Sequence, residues 1–158
     1  MTEKLSVAFI CLGNICRSPM AEAVFKHMVE EQGLQDRFDV IDSFGTGAYH
    51  TGESPDRRSA GECRKHGIKV SHRAQRIEEE HFDQFDYLLA MDESNYEDLM
   101  DMKPANSRAQ VALFGDFRQN KSLPRVVSDP YYGGVKGFEI NYKQLVHFSE
   151  SFLNSVLK

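Results

Sequence analysis

Short continuous apolar runs alternate along this chain with stretches in which apolar residues recur every three to four positions. The first run, residues 5–10, reads as a strand buried on both faces. Met20, Val24, Phe25 and Met28 then recur at helical spacing between Pro19 and Gln32, and Gly33 stops the pattern. Residues 38–42 predict a second, short strand. Ser54-Pro55 opens a helix that Gly67 ends, and residues 87–91 predict a third strand. Asp92 or Ser94 opens the next helix, which runs to about Met102 before Lys103-Pro104 terminates it. Residues 111–114 predict a fourth strand. A turn-rich stretch, residues 115–137, precedes a last helix over residues 138–157. This alternation predicts an α/β fold, a parallel sheet with helices on both faces joined by right-handed crossovers. Such sheets bind ligands beyond the C-terminal ends of their strands, and Cys11 stands at the end of the first one.

Length and charge narrow the picture. A chain of 158 residues suits one domain, residues 1–158, with a sizeable core. No run approaches the ~20 apolar residues of a membrane span, so no membrane partner is expected. The net charge of −5, with no basic face or aromatic stacking motif to offset it, argues against nucleic acid as a partner. Three cysteines, an odd number, and the lack of an apolar leader stretch point to a reducing, cytoplasmic setting.

The chemistry is concentrated in Cys11-Leu12-Gly13-Asn14-Ile15-Cys16-Arg17-Ser18, which leads into Pro19 and the first helix. Converging loop N–H groups and a helix N-terminus favour an anion there. Arg17 offers a planar fork that grips two phosphate oxygens. Cys11, beside that arginine and helix end, is set to act as a thiolate nucleophile. Gly13 suits close approach and positive φ, and Asn14 tolerates the left-handed region. Ser18 can cap the helix, with Pro19 in its first turn, and its hydroxyl can also bond the Cys11 sulfur. A zinc or redox role for Cys11 and Cys16 fits less well, because their spacing is not C-x-x-C and no compact set of further Cys and His completes a metal site.

Hydrolysis of a phosphate ester also needs an acid for the leaving oxygen. Candidates should lie on a loop at the same sheet edge, and Asp129, in Asp129-Pro130-Tyr131-Tyr132-Gly133, is the best one, with a rigid proline behind the acid and two rings beside it. Alone, Asp-Pro is an ordinary turn signal.

Together, residues 11–18, 129–133 and Met91-Asp92-Glu93-Ser94-Asn95 make the whole chain resemble the low-molecular-weight protein tyrosine phosphatases, of the fungal or eukaryotic acid phosphatase type. The resemblance implies a flavodoxin-like, doubly wound four-stranded parallel sheet in the order 2-1-3-4. It implies hydrolysis of phosphotyrosine in proteins or of small aryl phosphates, without metal or cofactor, by a monomer or weakly self-associating chain. Cys11 would attack phosphorus and form a cysteinyl phosphate. Arg17 and the backbone of Leu12, Gly13, Asn14, Ile15, Cys16 and Ser18 would hold the oxygens, and Asp129 would serve as acid and then base. Asn14, Ser43 and His72 would form the network that braces the loop. Read without the family, Ser43 is a turn residue and His72 a surface or capping histidine, while Asp92 and Glu93 suit a helix start regardless of catalysis. Tyr49, Tyr131 and Tyr132 would flank a phosphotyrosine ring, although the chain lacks the tryptophan common there in the family. Tyr131 and Tyr132 are also plausible phosphorylation sites by resemblance.

Cys16 invites two readings: packing beneath the loop, or capture of an oxidised Cys11 as a disulfide. Other fates of the loop are thioredoxin-coupled arsenate reduction, which needs relay cysteines where only Cys63 remains, and phosphoarginine hydrolysis, in which a threonine stands in place of Ile15. A non-catalytic anion-binding or redox-sensing module is the alternative from outside the enzymes.

Overall fold

The computed structural model describes residues 4–130 and 134–157. Four strands, β1 (Leu5–Cys11), β2 (Phe38–Gly45), β3 (Tyr87–Ala90) and β4 (Gln110–Leu113), form one parallel sheet in the order β2-β1-β3-β4. The helices are α1 (Arg17–Glu31), α2 (Arg57–Lys65), α3 (His81–Gln84), α4 (Glu93–Met102) and α5 (Val135–Val156). Short 3₁₀ turns occupy Gln35–Arg37 and Phe114–Phe117.

Side-chain alternation along β1 feeds two cores. Val7, Phe9 and Cys11 face one with α1 and α5, and Ala8 and Ile10 face the other with Phe82, Leu88 and Leu99. The larger core is tied by aromatic contacts in which the Phe9 ring lies 5.4 Å from Phe25 and 5.0 Å from Phe114, while Phe25 meets Phe152 on α5 at 5.8 Å. Burial on both faces fixes β1, and so fixes where its last residue, Cys11, emerges.

The predicted sheet and its order hold, and the element boundaries shift for identifiable reasons. β2 continues past Asp42 because Ser43, Phe44 and Gly45 pair with Phe9, Ile10 and Cys11, a long-range pairing that the turn-like Ser43 and Gly45 hide. Gly45 is required at that end, since a Cβ there would lie 2.6 Å from the Leu12 carbonyl oxygen. α1 starts at Arg17 with Cys16 in the cap position and no side-chain cap. Ser18 therefore does not cap it, because its hydroxyl is engaged by the site described below. α2 starts at Arg57, capped by Asp56, whose carboxylate accepts from the Arg58 N–H at 2.8 Å, rather than at Ser54-Pro55. Phe114 lies in a 3₁₀ turn instead of ending β4, α5 begins at Val135, and α3 is an additional single turn. Among the described residues no helix is long and apolar enough to cross a membrane.

Candidate active site

Leaving β1, the chain makes one tight loop before α1, and its geometry is set from within. Asn14 has φ 58°, the left-handed value that its short amide tolerates, and it is the non-glycine residue with positive φ among those described. Gly13, expected to share that conformation, does not; its lack of a side chain serves proximity, since a Cβ would come within 2.9 Å of the His50 ring. The loop is pinned from outside as well. Asp56 N–H donates to the Ile15 carbonyl at 2.7 Å, and the Ser59 hydroxyl donates to the Cys16 carbonyl at 2.8 Å.

Hydrogen bonds then determine atom by atom how the loop is braced. The Gln75 backbone N–H can only donate, so the Asn14 atom 2.9 Å away is Oδ1 and the opposite atom is the amide nitrogen. Oδ1 also lies 2.7 Å from His72 Nε2, which therefore carries a proton, and His72 Nδ1 faces Glu22 Oε1 at 3.3 Å. Asn14 Nδ2 donates to Ser18 Oγ at 2.8 Å and to Ser43 Oγ at 3.1 Å. The Ser43 hydroxyl in turn donates to Glu22 Oε1 at 2.7 Å. Asn14, Ser43 and His72 are thus brought together, as the resemblance implies, and the His72 side chain is only 7% exposed, so the surface reading fails. Glu22 completes the network and was not foreseen. Its signal was an acid four residues after Ser18, one turn further along the helix.

The network ends on Cys11. Ser18 Oγ, already accepting from Asn14, lies 2.9 Å from Cys11 Sγ, so its proton is available to the sulfur, and the Asn14 backbone N–H donates to the same sulfur at 3.3 Å. Two donors are thus aimed at one sulfur.

Arg17 is buried, and its Nη1 is fully used: it donates to Asp92 Oδ2 at 2.6 Å and to the Val127 carbonyl at 2.9 Å. Nε and Nη2 are left for a ligand, a geometry suited to a bidentate phosphate contact. Burial opposes the guanidinium's charge, but the Cys11 sulfur, Asp92 and Asp129 outweigh it and hold the pKa above its ordinary value. Asp92 has a double task that a helix-start reading concealed. Its Oδ1 accepts from the Asn95 N–H at 2.9 Å in a capping box, and its Oδ2 holds Arg17. Leaving a buried arginine without that partner costs ~3–5 kcal/mol.

Above this floor opens a cavity of about 440 Å³ lined by Cys11, Leu12, Gly13, Ile15, Cys16, Arg17, Tyr49, His50 and Asp129. Asp129 reaches it because the Val127 N–H bonds the Met91 carbonyl at 2.8 Å and ties the long loop to the end of β3. Its carboxylate is half exposed, with Oδ2 3.9 Å from Arg17 Nη2. Tyr49 stands at the mouth, 74% exposed. Tyr131 and Tyr132 lie outside the described residues. His50, which sequence reasoning passed over, forms part of the wall and pairs with Glu53 at 3.1 Å. Cys16 lines the same cavity, its thiol pushed up to about 12 by burial, helped by the charges of Asp56, Cys11 and Asp129. Glu22, Asp42 and His72 present ligand-type atoms within 4.8 Å of one another. Ser43, Lys26 and His72 already occupy Glu22, so the cluster acts as a brace.

A parallel sheet that delivers a cysteine sulfur to the foot of a tight loop at a helix N-terminus, with a clamped arginine beside it and a long loop carrying an acid above it, is the arrangement of a class of proteins suited to oxyanion chemistry at sulfur. The particular family follows from comparison. The model of the "Low molecular weight phosphotyrosine protein phosphatase" family matches residues 6–158. The Saccharomyces cerevisiae protein of that name is 52% identical over 155 residues, covering 98% of this chain and 96% of its own length. A protein tyrosine phosphatase from Entamoeba histolytica, solved with Hepes in its active site, superposes with a TM-score of 0.92 at 34% identity, covering 98% of this chain and 97% of its own. A drosophila arginine phosphatase superposes with a TM-score of 0.91 at 35% identity, covering 98% and 99%. The chain belongs to the low molecular weight phosphotyrosine protein phosphatase family, a family of enzymes.

Proposed function

We propose that the protein, acting as a single domain, hydrolyses phosphotyrosine in proteins, and small aryl phosphates, through a cysteinyl phosphate on Cys11. The observation that carries this reading is the Cys11 sulfur, held by the Ser18 hydroxyl at 2.9 Å and the Asn14 N–H at 3.3 Å in a cavity that Arg17 and Asp129 share. Cys11 thiolate attacks phosphorus in line with the ester oxygen, forming the S–P bond as the P–O bond breaks. Nε and Nη2 of Arg17 and the loop N–H groups hold the equatorial oxygens, stabilising charge that develops as the phosphoryl group transfers. Asp129 gives its proton to the departing phenolate. The same carboxylate, now ionised, takes a proton from a water that attacks phosphorus, releasing phosphate and restoring the thiolate, which Ser18 stabilises as it leaves.

Ring recognition falls to the mouth, where Tyr49 and Leu12 are exposed. A phosphoryl group on a six-membered ring reaches the floor past them, whereas phosphoserine is too short. Ile15 lines this cavity where arginine phosphatases would place threonine, which favours tyrosine over arginine. Activity on matched peptides bearing phosphotyrosine, phosphoserine or phosphoarginine tests the assignment. Phosphotyrosine is expected to be preferred by at least tenfold, and a preference for phosphoarginine would reassign the substrate.

Oxidation of Cys11 is expected to be reversible. Peroxide converts the Cys11 thiolate to a sulfenic acid; the Cys16 sulfur then attacks that sulfur, the S–O bond breaks, and water leaves as the disulfide forms. Cys16 reacts slowly while protonated, consistent with a thiol held at about 12 by burial. Mass spectrometry after peroxide treatment should find a Cys11–Cys16 bridge that dithiothreitol removes with recovery of activity. A Cys11 sulfinate without that bridge would refute the switch. A reducing, cytoplasmic location and a monomeric or weakly associating state complete the reading.

A further inference from the structure

The net charge of −5 conceals a strongly basic stretch. Residues 57–76 hold seven of the chain's 19 Lys and Arg but one of its 24 Asp and Glu. The expectation that no basic face exists is thereby corrected, because an average over the chain cannot register clustering within one helix and the segment after it. Arg57, Arg58, Arg64 and Arg73 line a single groove with Ser54 and His72. Arg57, Arg64 and Arg73 are exposed. No carboxylate among the described residues pairs with them, and Arg73 donates only to the Gly52 carbonyl at 3.2 Å. Asp56, also in the groove, is already committed to its helix cap and to the Arg58 guanidinium at 3.1 and 3.2 Å. Burial works to raise its pKa, but those Arg58 bonds outweigh burial and hold the carboxyl below its ordinary range.

The groove is built beside the catalytic cavity. Residues 49–56 separate the two: Tyr49 and His50 line the cavity, and Ser54 and Asp56 line the groove. That ridge is held in place by bonds from Gly52 N–H to the Ala74 carbonyl at 2.8 Å and from Ala74 N–H to the Glu53 carbonyl at 2.9 Å. A polypeptide with its phosphotyrosine in the cavity must leave over the rim, and on this side it meets arginines whose planar forks suit carboxylate or phosphate. We propose that this groove binds an acidic segment of the phosphoprotein substrate and so selects among phosphotyrosine sites, an inference that rests on the hydrolytic function proposed above.

The test compares two phosphotyrosine peptides, identical except that one carries flanking Asp and Glu and the other Asn and Gln, with the unaltered protein and with Arg57→Glu/Arg64→Glu. An exposed ion pair contributes up to about fivefold, so the protein should favour the acidic peptide by roughly 5- to 20-fold in kcat/KM at low salt, and the double variant should abolish or reverse that preference. A third peptide with phosphoserines at the flanking positions separates recognition of phosphate from that of carboxylate. Hydrolysis of p-nitrophenyl phosphate, which cannot reach the groove, should be unchanged, and Arg57→Gln/Arg64→Gln should lose the preference without reversing it. Fluorescence anisotropy of the acidic peptide with unphosphorylated tyrosine reads the groove without catalysis, and the Glu variant should bind it roughly tenfold or more weakly. Equal use of both peptides by the unaltered protein, or a preference and affinity untouched by the variants, would overturn the proposal. So would an oligonucleotide that binds through these arginines while peptide preference stays constant. Loss of p-nitrophenyl phosphate hydrolysis in the unaltered protein with peptide binding intact would count against the hydrolytic function alone.

Discussion

Replacing Cys11 with serine should lower turnover of an aryl phosphate by at least ~10⁴-fold while phosphate still binds. In the proposed mechanism the loop performs two separate jobs. Oxyanion binding belongs to Arg17 and the loop N–H groups, and serine leaves these in place because Asn14, Ser43, His72 and Glu22 hold the loop shape independently of the sulfur. Attack on phosphorus belongs to an anion, and the two donors at the sulfur, the Ser18 hydroxyl and the Asn14 N–H, stabilise a thiolate far better than they could generate an alkoxide. Phosphate binding, measured by calorimetry, should therefore survive in Cys11→Ser. Comparable turnover in the purified variant would remove Cys11 from its proposed role.

Asp129→Asn should slow the reaction by ~10²- to 10⁴-fold, the usual contribution of a positioned acid, and the loss should depend on the leaving group. With a phenol of high pKa the departing oxygen needs a proton, and formation of the intermediate should suffer. p-Nitrophenolate leaves without help, so with that substrate the S–P bond should form at a near-normal rate and its hydrolysis, now lacking a base, should become limiting. A uniform loss across leaving groups would indicate that Asp129 acts by position or charge on Arg17, from which it is 3.9 Å away, rather than by moving a proton.

Most of the fold was legible because doubly wound sheets write themselves as alternating short apolar runs and helical stripes, and the loop was legible because residues 11–18 are contiguous. What stayed hidden depended on partners far apart in sequence. Ser43 and Gly45 look like turn residues, yet pairing with Phe9 and Cys11 makes them strand. Asp92 satisfied a local rule as a helix cap, which masked its grip on Arg17 across 75 positions. Glu22 is a charge on a buried face, explicable only once Ser43 and His72 meet it. His50 carries no motif, and the basic run of residues 57–76 shows in the sequence without showing that its arginines share one groove beside the cavity. Asp129 was found through its Asp-Pro signal and the two rings beside it.

The proposed mechanism requires a covalent bond between phosphorus and the Cys11 sulfur. Mixing Asp129→Asn with p-nitrophenyl phosphate, quenching within the turnover time and mapping the phosphorylated residue by mass spectrometry tests it directly. Phosphate should be found on Cys11, in near-stoichiometric amount, and should be absent from the Cys11→Ser/Asp129→Asn protein. Phosphate on any other residue, or steady p-nitrophenol release with no phosphoenzyme at any quench time, would contradict it.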